Sequence, residues 1–568
     1  MNLFKKNIGL RSVWKNALLI VFCIALFMRL YKLGSIPLDL HNDEVANAYA
    51  ARYIIENGFD LYGNPWPILY FDKFNDYPPV IPMYVSGIGT YLFGNNEFGA
   101  RSLIAIIGAL VVFPVYKLAF LLFKNKLSAI LASLLFALGP WHIVLSRLNA
   151  EGIMALSVYL YGLSLLFSSF QTKNLKYFFL STLVLLSTYL MYPSFRIITP
   201  LTFLPLIFLA KIYNFKGKKF YLSILIVTIT SFILTFYISS TVWGKGRFEQ
   251  TSLLSPVSGV GLKLQQLIFN EDNIIIARIY NNKIVGYSKE FLYQYSRYFS
   301  FNYLFDEDGI PHIYSIPHSG LLHLSIIPLI LASLLGVIQK MNDKSDHKLF
   351  LYLIYILLIS PIPAALTVID VPSIHRALLT PALIIFIVIY GFNGLIKIKK
   401  YLKYILPPLI ILFVLETIFI YHNYFQHFSY YNTVYRTNGN TEAVKFAIDN
   451  QKKYDAVIFT KQENWLPIFY LFYANNYDPA LAKKFKYNLR IDRVQNVFFP
   501  EDECPSISIA ENQLNIDLDF KDKKVAVIEP ITCRNYYTDK SKDKFEKAIT
   551  IKRLDETEVF DVLISEVL

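Results

Sequence analysis

Asp43 and Glu44 stand side by side at the head of an amphipathic run, residues 43–56, in the polar stretch that follows the first hydrophobic segment. With Asn42 as the N-cap, both acids fall in a first helical turn. The helix dipole favours a carboxylate there in its charged form, able to accept a proton. First-turn acids after an Asn cap are also ordinary helix starts, so the pair gains chemical meaning only from its company. Arg147 and Arg376, each at the end of an apolar segment, are suited to hold phosphate oxygens through the planar guanidinium fork, with Arg101 and Arg247 as weaker choices. Taken singly, each arginine is better explained by snorkelling or helix capping. Glu151 follows Arg147 by four residues, the spacing of an ordinary helical ion pair. Asp76, in the turn Asp76-Tyr77-Pro78-Pro79, and the histidines His312, His318 and His375 complete the polar set. A divalent cation is left open, but no ligand spacing indicates one, so no metal ligand is assigned.

The elements that must position these groups lie in a bilayer. Of 568 residues, 54% are hydrophobic and 16% aromatic, and the apolar runs reach about 20 residues, the length that crosses a membrane. The net charge of +13 sits in short clusters between apolar runs, the pattern of cytoplasmic loops and not of a nucleic-acid surface. The basic N-terminus leads into a run with no small-residue cleavage site, which reads as a retained span with the N-terminus in the cytoplasm. The expected spans are 14–33, 101–123, 127–145, 152–170, 177–192, 197–212, 220–242, 319–339, 349–368, 377–396 and 404–421. Residues 80–93 are apolar but short, with Gly and Pro, which suits an interfacial or re-entrant segment.

Charge decides between these alternatives. Lys124/Lys126, Lys173/Lys176, Lys211/Lys216/Lys218/Lys219, Lys340/Lys344/Lys348 and Lys397/Lys399/Lys400/Lys403 all fall on one side if 80–93 does not cross, giving about eleven spans. The loops 34–100 and 243–318 and the tail then lie outside, together with every polar group named above. From His422 the composition becomes that of a soluble domain, with strand-like runs at 455–460, 497–499, 524–528 and 559–564 and helix-like ones at 441–450 and 465–474. The division is a transmembrane domain, 1–421, and an extracytoplasmic α/β domain, 422–568. Of three cysteines, Cys23 lies in the first span; Cys504 and Cys533 lie in the tail, where an oxidising compartment would let them pair and a reducing one would leave two thiols.

The order of these features resembles a known family. A first span, a loop with Asp43-Glu44, then Asp76-Tyr77-Pro78-Pro79, then Phe93-Gly94 leading to Phe98-Gly99-Ala100-Arg101, is similar to the GT-C superfamily of membrane glycosyltransferases. The nearest branch is that of protein O-mannosyltransferases and lipid A aminoarabinose transferases. Tyr77 stands where that branch has a basic residue before its two prolines. Arg147 with Glu151, and His375-Arg376 followed by Pro381, resemble its later corners, as do Gly246-Arg247-Phe248-Glu249-Gln250, the stretch from Asn302 to Gly320 and Tyr477-Asp478-Pro479. The resemblance implies a mainly α, GT-C-like polytopic membrane protein whose first external loop carries juxtamembrane helices. It also implies an inverting transferase at the plasma membrane that moves a monosaccharide from a polyprenyl phosphate to a lipid, glycan or protein acceptor. Asp43 would be the base, Glu44 its partner, and Arg147 and Arg376 the counter-charge on the leaving phosphate. The loop 243–318 would cover the site. Membrane lipids are the other expected partners, and nucleic acid is not one. The alternative is a transporter or flippase of lipid-linked glycans, which would place ionisable groups near the membrane midplane on broken helices.

Overall fold

The structure, a computed structural model, describes residues 2–74, 76–215, 217–270, 272–339, 345–397, 399–461, 465–482, 491–514, 516 and 520–565. Lys216, Lys340 and Lys344 of the basic clusters lie outside them, as do the side chains of Arg247, Lys397, Lys399 and Lys400. The chain divides into two compact units, one of residues 1–31 and 104–424, the other of residues 32–103 and 425–568. Residues 32–103 and the tail are therefore one body, although the sequence reading keeps residues 34–100 with the spans.

Among the described residues, eight helices are long and apolar enough to cross a membrane: Val13–Leu30, Glu97–Phe123, Glu151–Thr172, Phe195–Ile212, Lys218–Ser240, Lys348–Ala365, Leu379–Ile396 and Lys403–Tyr431. The pair Lys126–Ala137 and Pro140–Ser146, bent by 53° at its break, makes a ninth if it is one span. Gly139 and Pro140 account for the bend, since Pro is at home at a helix start and not in its interior. The two other expected spans are the shorter apolar helices Leu175–Leu190 and Leu324–Leu334. Val80–Phe93 is a 14-residue helix, too short to cross the hydrocarbon upright.

Two of the spans carry a charged residue in their interior. Lys117 lies in the Glu97–Phe123 span and Glu416 in the Lys403–Tyr431 span. The Glu416 carboxylate accepts the backbone N–H groups of Leu324 (2.5 Å) and Ser325 (2.9 Å), at the start of the next apolar helix. An acid that satisfies orphan donors at a helix N-terminus serves as a cap.

The second unit is built on a six-stranded mixed sheet: β1 (Ala456–Phe459), β2 (Arg493–Val494), β3 (Val497–Phe498), β4 (Val525–Pro530), β5 (Glu546–Lys552) and β6 (Glu558–Ser565). Their order is β2-β3-β1-β4-β6-β5, with β1 parallel to β3 and β4 and the remaining pairs antiparallel. β1 is buried throughout and reads as an apolar run, and β4 is apolar from Val525 to Ile528 ahead of the buried Glu529, which is why both are legible in sequence. Ile458, Phe498, Val525, Val527 and Leu563 form a core with Ile509 from the helix Pro505–Ala510. A disulfide joins Cys504 to Cys533. In the same unit, the helix Asn42–Asn57 packs along Val80–Phe93, where a Cβ on Gly87 would lie 2.4 Å from the Ala51 carbonyl oxygen; only glycine permits that approach.

Candidate active site

Asp43 and Glu44 open the helix Asn42–Asn57 as expected, but the N-cap is His41 and not Asn42. The His41 Nδ1 accepts the Asp43 N–H at 3.3 Å, while the His41 N–H donates to Glu44 Oε2 at 3.1 Å. This reciprocal arrangement is a capping box with histidine in the Ser/Thr role. An imidazole is not among the favoured N-cap side chains, so the neighbouring asparagine was the natural reading.

The cap points the two acids in opposite directions. Glu44 is buried between two guanidinium groups: Arg101 donates from Nε (2.9 Å) and Nη2 (3.0 Å), and Arg436 donates from Nη2. Burial alone would push its carboxyl up, but the charges of Arg101 and Arg436, with hydrogen bonds from Arg101 and the His41 backbone, hold it well below the usual carboxylate range. Arg101 also donates to the carbonyls of Pro37 (2.7 Å) and Asp39, and Arg436 to those of Leu38 (2.8 Å) and Asp39 (2.8 Å). Glu44 is thus the hub that pins residues 37–44 to the tail segment carrying Arg436. Arg101, fully buried in this knot, is engaged as a brace for the loop.

Asp43, by contrast, exposes 77% of its side chain. Its surroundings on the helix include Asn47, one turn further on and so on the same flank. Asn47 Oδ1 accepts from Lys73 Nζ at 2.7 Å, and Lys73 Nζ lies 3.6 Å from Asp76 Oδ2. The Asp76 turn is therefore tied through Lys73 to the flank of the helix that carries Asp43. Lys73, Asn47 and Arg436 are the residues that sequence reasoning missed. A lone lysine in a polar loop carries no spacing signal, and Arg436 is 392 residues from its partner.

A second pair of acids lies in the same loop. Asp60 is buried and accepts the N–H groups of Tyr62 (3.0 Å), Asn64 (2.9 Å) and Asp72 (3.4 Å) and the Asn64 side-chain amide (2.8 Å), which closes the loop on itself. Burial, and then the Asp60 charge, raise the Asp72 carboxyl to about 6.

The other site residues belong to the first unit. Arg147 caps the helix Pro140–Ser146 and is fully buried. It donates to the carbonyls of Met28 (3.0 Å) and Arg29 (3.0 Å) and to the Tyr424 hydroxyl (3.1 Å). Glu151 opens the helix Glu151–Thr172. The next residue, Gly152, meets the later corner: a Cβ there would lie 2.4 Å from Leu378 Cδ1 and 3.6 Å from the His375 carbonyl oxygen. The corners holding Arg147 with Glu151 and His375 with Arg376 thus adjoin. The His375 ring meets Tyr314 edge-on at 4.6 Å. Arg376 is half-buried, with Nη1 on the Thr367 hydroxyl (2.9 Å) and the Ile369 carbonyl. Its Nε and Nη2 have no partner among the described residues. Arg247 lies in the helix Val242–Thr251. Among the described residues, no three or more His, Cys, Asp and Glu side chains are grouped to hold a metal ion.

Residues 19–242 match the family model described as dolichyl-phosphate-mannose-protein mannosyltransferase. No curated protein matches the chain. The oligosaccharyltransferase of Archaeoglobus fulgidus, crystallised with zinc and sulfate, aligns over 96% of this chain and 72% of its own, at 13% identity and a TM-score of 0.48. ArnT from Cupriavidus metallidurans bound to undecaprenyl phosphate aligns over 98% of both chains, at 11% identity and a TM-score of 0.40. Likenesses of that degree are too distant to transfer residue roles. The family match is the stronger finding, since it runs through Asp43, Glu44, Arg101, Arg147 and Glu151. Over residues 19–242 the chain is thus similar to a family of membrane mannosyltransferases, and its array of apolar helices is that of a multi-pass membrane protein.

Proposed function

We propose that the protein is an inverting glycosyltransferase that takes a monosaccharide from a polyprenyl-phosphate donor on the outer face of the membrane. The observation that carries this reading is the asymmetry of the paired acids within the matched segment. One is consumed by two arginines; the other is presented to solvent at a rigid helix start. A general base must be both reachable and held in place, and Asp43 meets both demands. The printed description of the matched family names a polyprenyl-type phosphate sugar, which supports the donor class.

In the proposed reaction the acceptor hydroxyl oxygen attacks the anomeric carbon as Asp43 takes its proton. The new C–O bond forms as the bond from that carbon to the phosphate oxygen breaks, and the electron pair leaves with the polyprenyl phosphate. Arg376 balances that charge through its uncommitted Nε and Nη2 edge. Arg147 has its guanidinium on backbone carbonyls and Tyr424, so its part is to hold the corner where Arg376 is placed. Glu44 and Arg101 act as positioning residues.

The test is transfer from a panel of polyprenyl-phosphate sugars by the purified protein, with products read by mass spectrometry. Asp43→Asn is expected to lose about 10²–10⁴-fold in rate with folding and membrane insertion unchanged. Near-normal transfer by that variant removes Asp43 from the mechanism. Sugar-lipid flux in proteoliposomes with no covalent product replaces the enzyme with a transporter.

A further inference from the structure

We infer that the helices Val260–Phe269 and Ile274–Tyr280 lie in the membrane interface and hold the loop 243–318 against the bilayer. The loop is pinned to a span at two heights. At its start, Ser252 pairs with Thr367, the Leu253 N–H donates to the Leu366 carbonyl (2.8 Å), and the Val368 N–H donates to that of Thr251 (3.0 Å). These partners lie just beyond the end of the Lys348–Ala365 span. Further along, the Tyr295 hydroxyl donates to the Leu358 carbonyl at 2.7 Å. Leu358 lies inside that span, about 10 Å below its end at 1.5 Å per residue. This contact sets the helix Lys283–Arg297, on which Leu264 of the first of the two helices closes, alongside the span.

The inward side chains are already used. Leu253, Val260 and Leu264 form a small core with Tyr287, Phe291 and Val368, and Gly286 lets Leu264 close on the helix Lys283–Arg297. What remains outside is apolar: Phe269 is 88% exposed, Ile284 81% and Ile275 69%, with Leu262, Ile279 and Tyr280 beside them. Helices of 10 and 7 residues cannot cross the hydrocarbon and must lie along it. Lys263, Arg278, Lys283 and Lys289 are exposed on the same stretch, placed for phosphate head groups. The occupant that fits an apolar patch with a basic fringe, level with the end of a span, is the bilayer itself.

The experiment uses the full chain in proteoliposomes, with Cys23→Ser as background and nitroxides on Phe269→Cys and on Ile275→Cys. Collision rates with oxygen and with a water-soluble nickel chelate report the surroundings. Leu412→Cys in the last span and Asp522→Cys in the sheet unit are the lipid and water references. The expected oxygen-to-nickel ratio at both sites is several-fold above that at position 522 and close to that at 412. A ratio like that at 522 means the helices stand in water. Low collision rates with both reagents mean that protein covers them. Either result overturns the proposal, whatever the fate of the catalytic reading.

Discussion

Glu44 is the residue on which the first loop depends, and its pH behaviour follows from its neighbours. Its carboxyl is held down in the folded state, so its contribution is complete above the unfolded value of about 4.3 and is lost as pH falls towards the depressed native value. Glu44→Gln leaves the buried Arg101 and Arg436 without their counter-ion, at a cost of about 3–5 kcal/mol. Thermal melts in detergent at pH 7 should show that loss. Between pH 5 and 3 the wild type should fall towards the variant, because the difference between them is the ionised carboxylate. A constant gap between the two curves across that range would refute the assignment. The adjacency of Asp43 and Glu44 was legible from sequence; which acid would be free was not, because Arg436 is contributed from the far end of the chain.

At the scale of elements, the helix carrying Asp43 owes its place to one glycine and the sheet unit owes part of its stability to one cross-link. Gly87→Ala sets a methyl against the Ala51 carbonyl and must part the two helices, costing about 1–3 kcal/mol; a drop in melting temperature with weakened transfer is the expected outcome. The Cys504–Cys533 bridge closes a loop with a sequence separation of 29, which predicts about 3–4 kcal/mol of stabilisation from chain entropy. Cys504→Ser should show that loss in a denaturant melt. The strands β1, β3, β4 and β6 were visible as apolar runs. β5 was not, since Lys547 and Lys552 along an exposed edge break the pattern, as edge strands commonly do. β2, with two residues, is too short to register.

For the whole molecule, the topology is the testable proposition. In the proposed orientation, argued from the lysine clusters, the loop 243–318 lies outside and the turn at Lys173 and Lys176 inside. An impermeant maleimide applied to intact cells should label Asn270→Cys, and should label Lys173→Cys only after permeabilisation. The reverse pattern would invert the proposed orientation and remove Asp43 from the outer face.

The sequence by itself determined that this chain crosses a membrane many times, that its polar chemistry gathers in a few loops, and which acid pair and corners have the residue types for that chemistry. Hydrophobic length and charge order are local properties, written in consecutive residues. Tertiary structure alone decided that residues 32–103 fold with the tail, that His41 is the cap, that Glu44 is spent on Arg101 and Arg436 while Asp43 is not, and that the corners at Gly152 and His375 adjoin. Apart from the cap, which is local but uses a side chain that rarely plays that part, those outcomes rest on contacts between residues 57 to 392 positions apart along the chain or on the packing of distant segments, and no local pattern encodes which distant partner a buried charge will find.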